Sequence, residues 1–157
     1  MNEQNAITLK GRSTIRAYPA GTNFSGLPIY QQTVNNLVVT AGKSMVAALL
    51  VDTETTGLTY HAIGTDATAP ALADTTLGTE TARKAWTIRS RAGSTITLEV
   101  FYLAAEATFD IAEAGVFGGS TASATPDSGT LFSHYLQPYD NSAGLVDLTF
   151  EYVLEVT

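Results

Sequence analysis

The chain has 157 residues, no cysteine, and fifteen acidic against eight basic side chains, a net charge of −7. That length fits one domain with a core of its own, and the lack of cysteine excludes disulfides and thiolate metal sites. The acidity argues against a surface that neutralises nucleic-acid phosphates.

Residues 1 to 6 carry no pattern, and MNEQNA lacks the basic segment and apolar core of an export signal. From Ile7 to Tyr18 apolar Ile7, Leu9 and Ile15 alternate with Lys10, Arg12, Thr14 and Arg16, which predicts a half-buried strand. Pro19 to Thr22 is a turn signal, and the loop continues through Gly26-Leu27-Pro28. A second strand is expected over Ile29 to Thr40. These first forty residues form either a hairpin of the domain or an arm that reaches beyond it.

Thr40 to Val51 is the one helix the pattern predicts. Thr40 is placed to cap it, and Met45, Val46, Leu49 and Leu50 share a stripe. This apolar run is too short to cross a bilayer, and no membrane association is expected. The helix should end at Asp52 to Gly57. A strand over Thr59 to Gly64 then opens into a long polar loop containing Pro70, with Leu72 and Leu77 spaced to pin it over the core. A loop of that length inside a compact domain is uncommon and usually has a function or a partner.

Lys84 to Arg91 alternates again, with Trp86 and Ile88 expected inward. Ala92-Gly93 turns it into Ser94 to Ala104, a hairpin. Phe109 to Phe117 reads as a further strand, and Gly129 to Gln137 pairs with Leu145 to Thr157. In the last strand Val146, Leu148, Phe150, Tyr152, Leu154 and Val156 should face inward, and Asp147, Thr149, Glu151 and Glu155 outward. Eight or so short strands with one helix predict a mainly β protein, a single β-sandwich domain over residues 1–157, with a jelly roll as one topology of that class.

Chemistry is sparse in this pattern. Ala41-Gly42-Lys43-Ser44 lies between a strand and a helix as a phosphate loop does, but the required glycine four residues before Gly42 is Leu37 instead. His61 and His134 are the two histidines. Ser133 directly precedes His134, so on a strand the two point to opposite faces and form no nucleophile–base pair. Carboxylates gather at Asp52 and Glu54, at Asp66 and Asp74, and at Glu106, Asp110 and Glu113, without the spacing of a calcium loop. No catalytic residue, cofactor or metal is expected. Tyr18, Tyr30, Tyr135 and Tyr139 are candidates for a sugar-binding face, although buried and interfacial roles are commoner for tyrosine.

Several segments form a series. Ile63 to Asp66 reads as "vGTg", Thr68 to Ala71 as "TAPa", and Asp74 to Arg83 as "DTaLg-E--R"; before them stands Asn36 to Lys43 (NLVVTAGK), and after them Glu113 to Phe117 (EAGVF) and Gly129 to Ser133 (GTLFS). In this order, over residues 36 to 133, the series resembles structural proteins of tailed bacteriophages. The resemblance implies a non-enzymatic virion component, assembled in the cytoplasm of the bacterial host and bound to capsid or tail proteins. Within that class a head decoration (cement) role is favoured over a tail-fibre, neck or baseplate adaptor. The rival class is a carbohydrate-binding module.

Three expectations accompany this reading. Arg83 should reach Glu113, with Glu80 nearby, and tie the long loop to the sandwich. The protein should hide its sheet edges in a homo-oligomer, with a trimeric ring as the first guess. The N-terminal segment should contribute to subunit or capsid contacts through the basic face of Lys10, Arg12 and Arg16; the competing expectation is that it completes its own sandwich with those residues solvated.

Overall fold

The computed structural model describes residues 6–157. Ten strands form two five-stranded antiparallel sheets packed face to face, so the chain is a β-sandwich. The first sheet has the order β2-β1-β10-β7-β6, where β1 is Leu9–Pro19, β2 Tyr30–Asn35, β6 Ile88–Ala92, β7 Thr95–Tyr102 and β10 Val146–Val156. The second has the order β3-β9-β8-β4-β5, where β3 is Leu37–Val38, β4 Leu58–Gly64, β5 Glu80–Ala85, β8 Asp110–Gly118 and β9 Thr130–Asp140. Helix α1, Thr40–Leu50, lies against β9.

The last strand sits in the middle of its sheet because its apolar alternation is the longest in the chain. It pairs with β1 along eleven residues and with β7 on the other side. Val146, Leu148, Phe150, Tyr152 and Leu154 enter the main core with Ile15, Ile63, Leu98, Val100, Tyr102, Val116 and Tyr135. Asp147 and Thr149, expected outward, are buried as well. Asp147 is buried because it has work inside: its carboxylate accepts the Gly21 N–H at 3.1 Å and the Ala104 N–H at 2.8 Å, joining two loops at one end of the sandwich.

The N-terminal segment is an integral hairpin. β1 is flanked by β2 and β10, and Ile15 and Ala17 are fully buried. The predicted second strand is divided, because the chain changes sheets at Asn36. Asn36 N–H still bonds Gly11 of the first sheet at 3.1 Å, and two residues later Val38 pairs with Ser133 of the second. The predicted strand over Lys84 to Arg91 divides for the same reason. Trp86 N–H donates to Thr59 in the second sheet at 3.1 Å, and Thr87 N–H to Glu99 in the first at 2.8 Å. This corner buries Trp86 but leaves Ile88, expected inward, 42% exposed.

In α1, Val39 rather than Thr40 is the capping residue, and no side chain caps it. Met45 is buried as expected and Val46 and Leu49 pack on the core, but Leu50 is exposed. Gly42 is what lets the helix lie so close: a Cβ there would sit 2.2 Å from the Phe132 carbonyl oxygen. No helix is long and apolar enough to cross a membrane among the described residues.

Candidate functional site

The outer face of the second sheet is where the chemistry-bearing side chains gather. Register places three rows across β5, β4, β8 and β9: Glu80, Gly64, Glu113 and Leu136; Arg83, Ala62, Gly115 and His134; Ala85, Tyr60, Phe117 and Leu131. Over this face runs the long loop of residues 65–79, a strap seated by Leu77. Leu77 joins Val39, Ala62, Phe117 and Leu131 in a second, smaller apolar cluster. Leu72 does not share the role: it is 51% exposed and contributes its carbonyl, which accepts the Thr40 N–H at 2.9 Å.

Two glycines make the seat. A Cβ on Gly115 would lie 2.8 Å from the Leu77 Cδ2, and one on Gly64 would lie 2.3 Å from the Thr79 carbonyl oxygen. With these rows flat, the fully buried carboxylate of Glu113 reaches the strap backbone. It accepts N–H groups of Thr79 at 2.7 Å, Gly78 at 3.0 Å and Asp66 at 3.4 Å. His134 lies between two carboxylates, its Nε2 at 2.8 Å from Glu113 Oε2 and its Nδ1 at 2.7 Å from Asp74 Oδ2. Asp74 is also bonded by the Ala71 N–H, the largest cause holding its carboxyl below the ordinary value, with His134 adding to it. A cleft of about 310 Å³ opens between the strap and His134, lined by Asp66, Asp74, Leu77 and Gly78 among others.

Beside it stands a second buried cluster. Arg83 and Glu80, three residues apart, form a bidentate pair at 2.6 and 2.8 Å, with side chains 2% and 1% exposed. The guanidinium also donates to the carbonyls of Ser128 at 2.8 Å and Ser123 at 3.2 Å, and it covers the Phe117 ring at 4.1 Å. Glu80 Oε2 accepts the Asp127 N–H at 3.0 Å. This cluster pins the loop between β8 and β9.

The expected Arg83–Glu113 bridge is therefore replaced by two separate ones. Glu80 satisfies Arg83, and His134 with the strap amides satisfies Glu113. Glu80, the residue expected nearby, is the one that Arg83 pairs with. His134 gave no pairing signal in sequence, since Asp74 and Glu113 are 60 and 21 residues away from it. Both ring nitrogens are engaged, and Ser133 lies opposite Val116 on the inner side, so no serine–histidine pair exists here. Among the described residues no group of three or more His, Asp or Glu side chains is arranged to hold a metal ion.

The basic face of β1 is largely neutralised within its own sheet. Arg12 bonds Glu155 at 3.0 Å, and Arg16 lies 3.5 Å from Glu151 and bonds Gln31. Lys10 is exposed and has no ion-pair partner among the described residues. The four tyrosines form no shared platform: Tyr135 is buried in the core, Tyr30 and Tyr139 pack on each other at 4.9 Å, and Tyr18 lies against Phe24.

His61, the other histidine, is in the core rather than on a surface. Its Nδ1 is 3.1 Å from the Tyr102 hydroxyl and its Nε2 3.2 Å from the Tyr135 hydroxyl. The Tyr102 hydroxyl donates to the His61 carbonyl at 3.0 Å, so its oxygen is left to accept from Nδ1–H, and Nε2 accepts from Tyr135. Burial pushes this ring down to about 3, so it is neutral.

No protein-family model matches the chain, and neither curated proteins nor solved structures include one significantly similar to it.

Proposed function

We propose that the protein is a structural component of a tailed-phage virion, a head decoration protein that binds the capsid surface and other copies of itself. The observation that carries the reading is the use of the residues behind the resemblance. Gly64, Asp74, Leu77, Glu80, Arg83, Glu113 and Phe117 come from segments far apart in sequence, and all meet on one face as a loop-fixing scaffold. Their charged groups bond to backbone amides, to carbonyls and to one another. A scaffold of this kind fixes the shape of two long loops and suits a protein that presents rigid surfaces for assembly.

Exposed apolar side chains collect at one end of the sandwich. Leu27, Ile29, Leu103 and Leu145 are 50–89% exposed. They belong to loops joined by Asp147, by Ala20 N–H to the Leu145 carbonyl and by Ile29 N–H to the Ala17 carbonyl. Apolar groups gathered in this way mark contact surfaces, and this end is our choice for the capsid or neighbouring subunit. The Arg12 and Arg16 face, already paired with Glu155 and Glu151, is a weaker choice.

The test is cryo-EM of phage particles carrying the protein. Sandwich-shaped density on the head shell, with the Leu27 and Leu145 end against it, is the expected result. Density in the tail or baseplate would replace the decoration role with an adaptor role. Absence from particles, together with specific signals on a glycan array, would overturn the reading in favour of a carbohydrate-binding module.

A further inference from the structure

We infer that His134 is a protonation-controlled clasp on the strap 65–79, closed while both ring nitrogens carry protons and released when one is lost. The argument is a count of hydrogens. Each of the contacts His134 Nδ1–Asp74 Oδ2 and His134 Nε2–Glu113 Oε2, at 2.7 and 2.8 Å, needs one proton between its heavy atoms. A neutral imidazole supplies one, and an ionised carboxylate supplies none. The second proton is placed on the ring because both carboxylates already act as acceptors, Asp74 towards the Ala71 N–H and Glu113 towards the Gly78 and Thr79 N–H groups, as ionised carboxylates do. The clasp is thus an imidazolium between two carboxylates, both of which also accept strap amides: Ala71 on Asp74, and Gly78 and Thr79 on Glu113.

Loss of one ring proton leaves a nitrogen lone pair facing a carboxylate oxygen, at a site where His134 is 5% exposed and Glu113 fully buried. On the Glu113 side the contact is sealed, whereas Asp74 borders the open cleft, so the pair is relieved by movement of the element that can move. β8 and β9 are interior strands of their sheet, whereas the strap is held by the Leu77 seat, by the Thr40 N–H bonded to the Leu72 carbonyl and by these hydrogen bonds. The charged groups facing the ring are Asp74 and Asp66 from the strap and Glu113 from β8, and Asp66 is itself held below its ordinary value, mainly by Thr68 with a smaller contribution from His134. All three are anionic, so nothing replaces the lost positive charge. Release exposes the apolar seat formed by Ala62, Phe117 and Leu131.

Two measurements on the full chain test this. Nitrogen-15 spectra of the histidine rings at neutral pH should show both nitrogens of His134 protonated, in contrast to His61 with one. As pH rises, exchange protection at the Gly78 and Thr79 amides, corrected for intrinsic rate, should fall by about tenfold or more in step with the His134 signal. Amides of β10 should keep their protection. In His134→Gln, which has no such proton to lose, the step should be absent. A His134 ring with a bare nitrogen while the strap amides are protected would overturn the clasp, and so would strap protection that persists unchanged through His134 deprotonation. Both readouts come from the unaltered protein, so a variant that fails to fold does not remove the test.

Discussion

His61 should make the fold sensitive to acid from pH 6.5 downward, starting above the ordinary carboxylate range. Its ring is fully buried between Tyr102, Phe150 and Trp86, and burial lowers it from 6.5 to about 3. The native state therefore keeps the ring neutral, while the unfolded chain takes up a proton once the pH drops below 6.5. The unfolded state binds more protons between those limits, so stability falls as pH falls from 6.5 towards 3, and gains nothing further above 6.5. At about 1.4 kcal/mol per pH unit, lowering the pH from 7.5 to 5.0 should cost about 2 kcal/mol through this one ring. Asp66, Asp74, Glu106 and Asp140 are shifted down from ordinary values of 3.8–4.5, so their contributions are lost mainly below pH 5.

The assay is urea unfolding followed by Trp86, the single tryptophan, at both pH values. The comparison is with His61→Gln, whose amide has a donor and an acceptor for the same two hydroxyls but does not titrate. His134 is common to both proteins and drops out of the difference. Wild type should lose about 2 kcal/mol more than the variant between pH 7.5 and 5.0. Equal losses would refute the reasoning, because they would mean that the imidazole is hydrated or protonated in the folded core.

Arg83→Ala should cost about 3–5 kcal/mol in urea unfolding, because it strands a buried Glu80, whereas Arg12→Ala, on an exposed pair, should cost less than about 1 kcal/mol. Gly64→Ala should destabilise by about 1–3 kcal/mol or more, and by more than Gly115→Ala; the new methyl at Gly64 would lie 2.3 Å from the Thr79 carbonyl oxygen, while that at Gly115 has its tightest contact, 2.8 Å, with the end of the Leu77 side chain and lies 3.1 Å from Leu131 and 3.2 Å from the Ser133 carbonyl. Leu27→Asp with Leu145→Asp should leave stability within about 1 kcal/mol of wild type yet abolish loading onto particles that lack the protein; retained loading would show that the apolar end is not the contact.

The strands were legible because period-two alternation survives wherever one face of a strand is buried. β10 and the β6–β7 hairpin are the clearest cases, the latter turned by Gly93 at φ +58. What alternation cannot reveal is a change of sheet. Asn36 and the Trp86-Thr87 corner continue the extended pattern without a break, because a strand that passes from one sheet to the other stays extended while its partners change. The inward residues of one sheet then become misleading guides to the next, as Ile88 shows. The strap was legible through its length and Leu77, but its clasp was not. Pairing of His134 with Asp74 and Glu113 depends on register between β8 and β9 and on the course of a fifteen-residue connection between β4 and β5, neither of which a local pattern encodes.

The surplus of acid over base has its own structural logic. Eight carboxylates (Glu54, Asp66, Asp74, Glu80, Glu106, Glu113, Asp140 and Asp147) accept backbone N–H groups of loops or turns. Among the described residues only Glu80, Glu106, Asp74 and Glu113 of these also meet a basic side chain. A loop amide that no strand pairs must find an acceptor, and an ionised carboxylate with two oxygens can satisfy two or three at once. Glu54 shows the effect on the acid itself: N–H groups of Ser120 and Thr56 hold it down at about 2. Acidic residues here replace the sheet ladder where the chain leaves the sheets, so loss of net negative charge at these sites should loosen loops before it loosens strands. In Glu54→Gln the amides of Thr55, Thr56 and Ser120 should exchange faster while those of β8 and β9 do not. Uniform acceleration across both sheets would mean that Glu54 supports the whole sandwich and that the loop-fixing role assigned to these carboxylates is wrong.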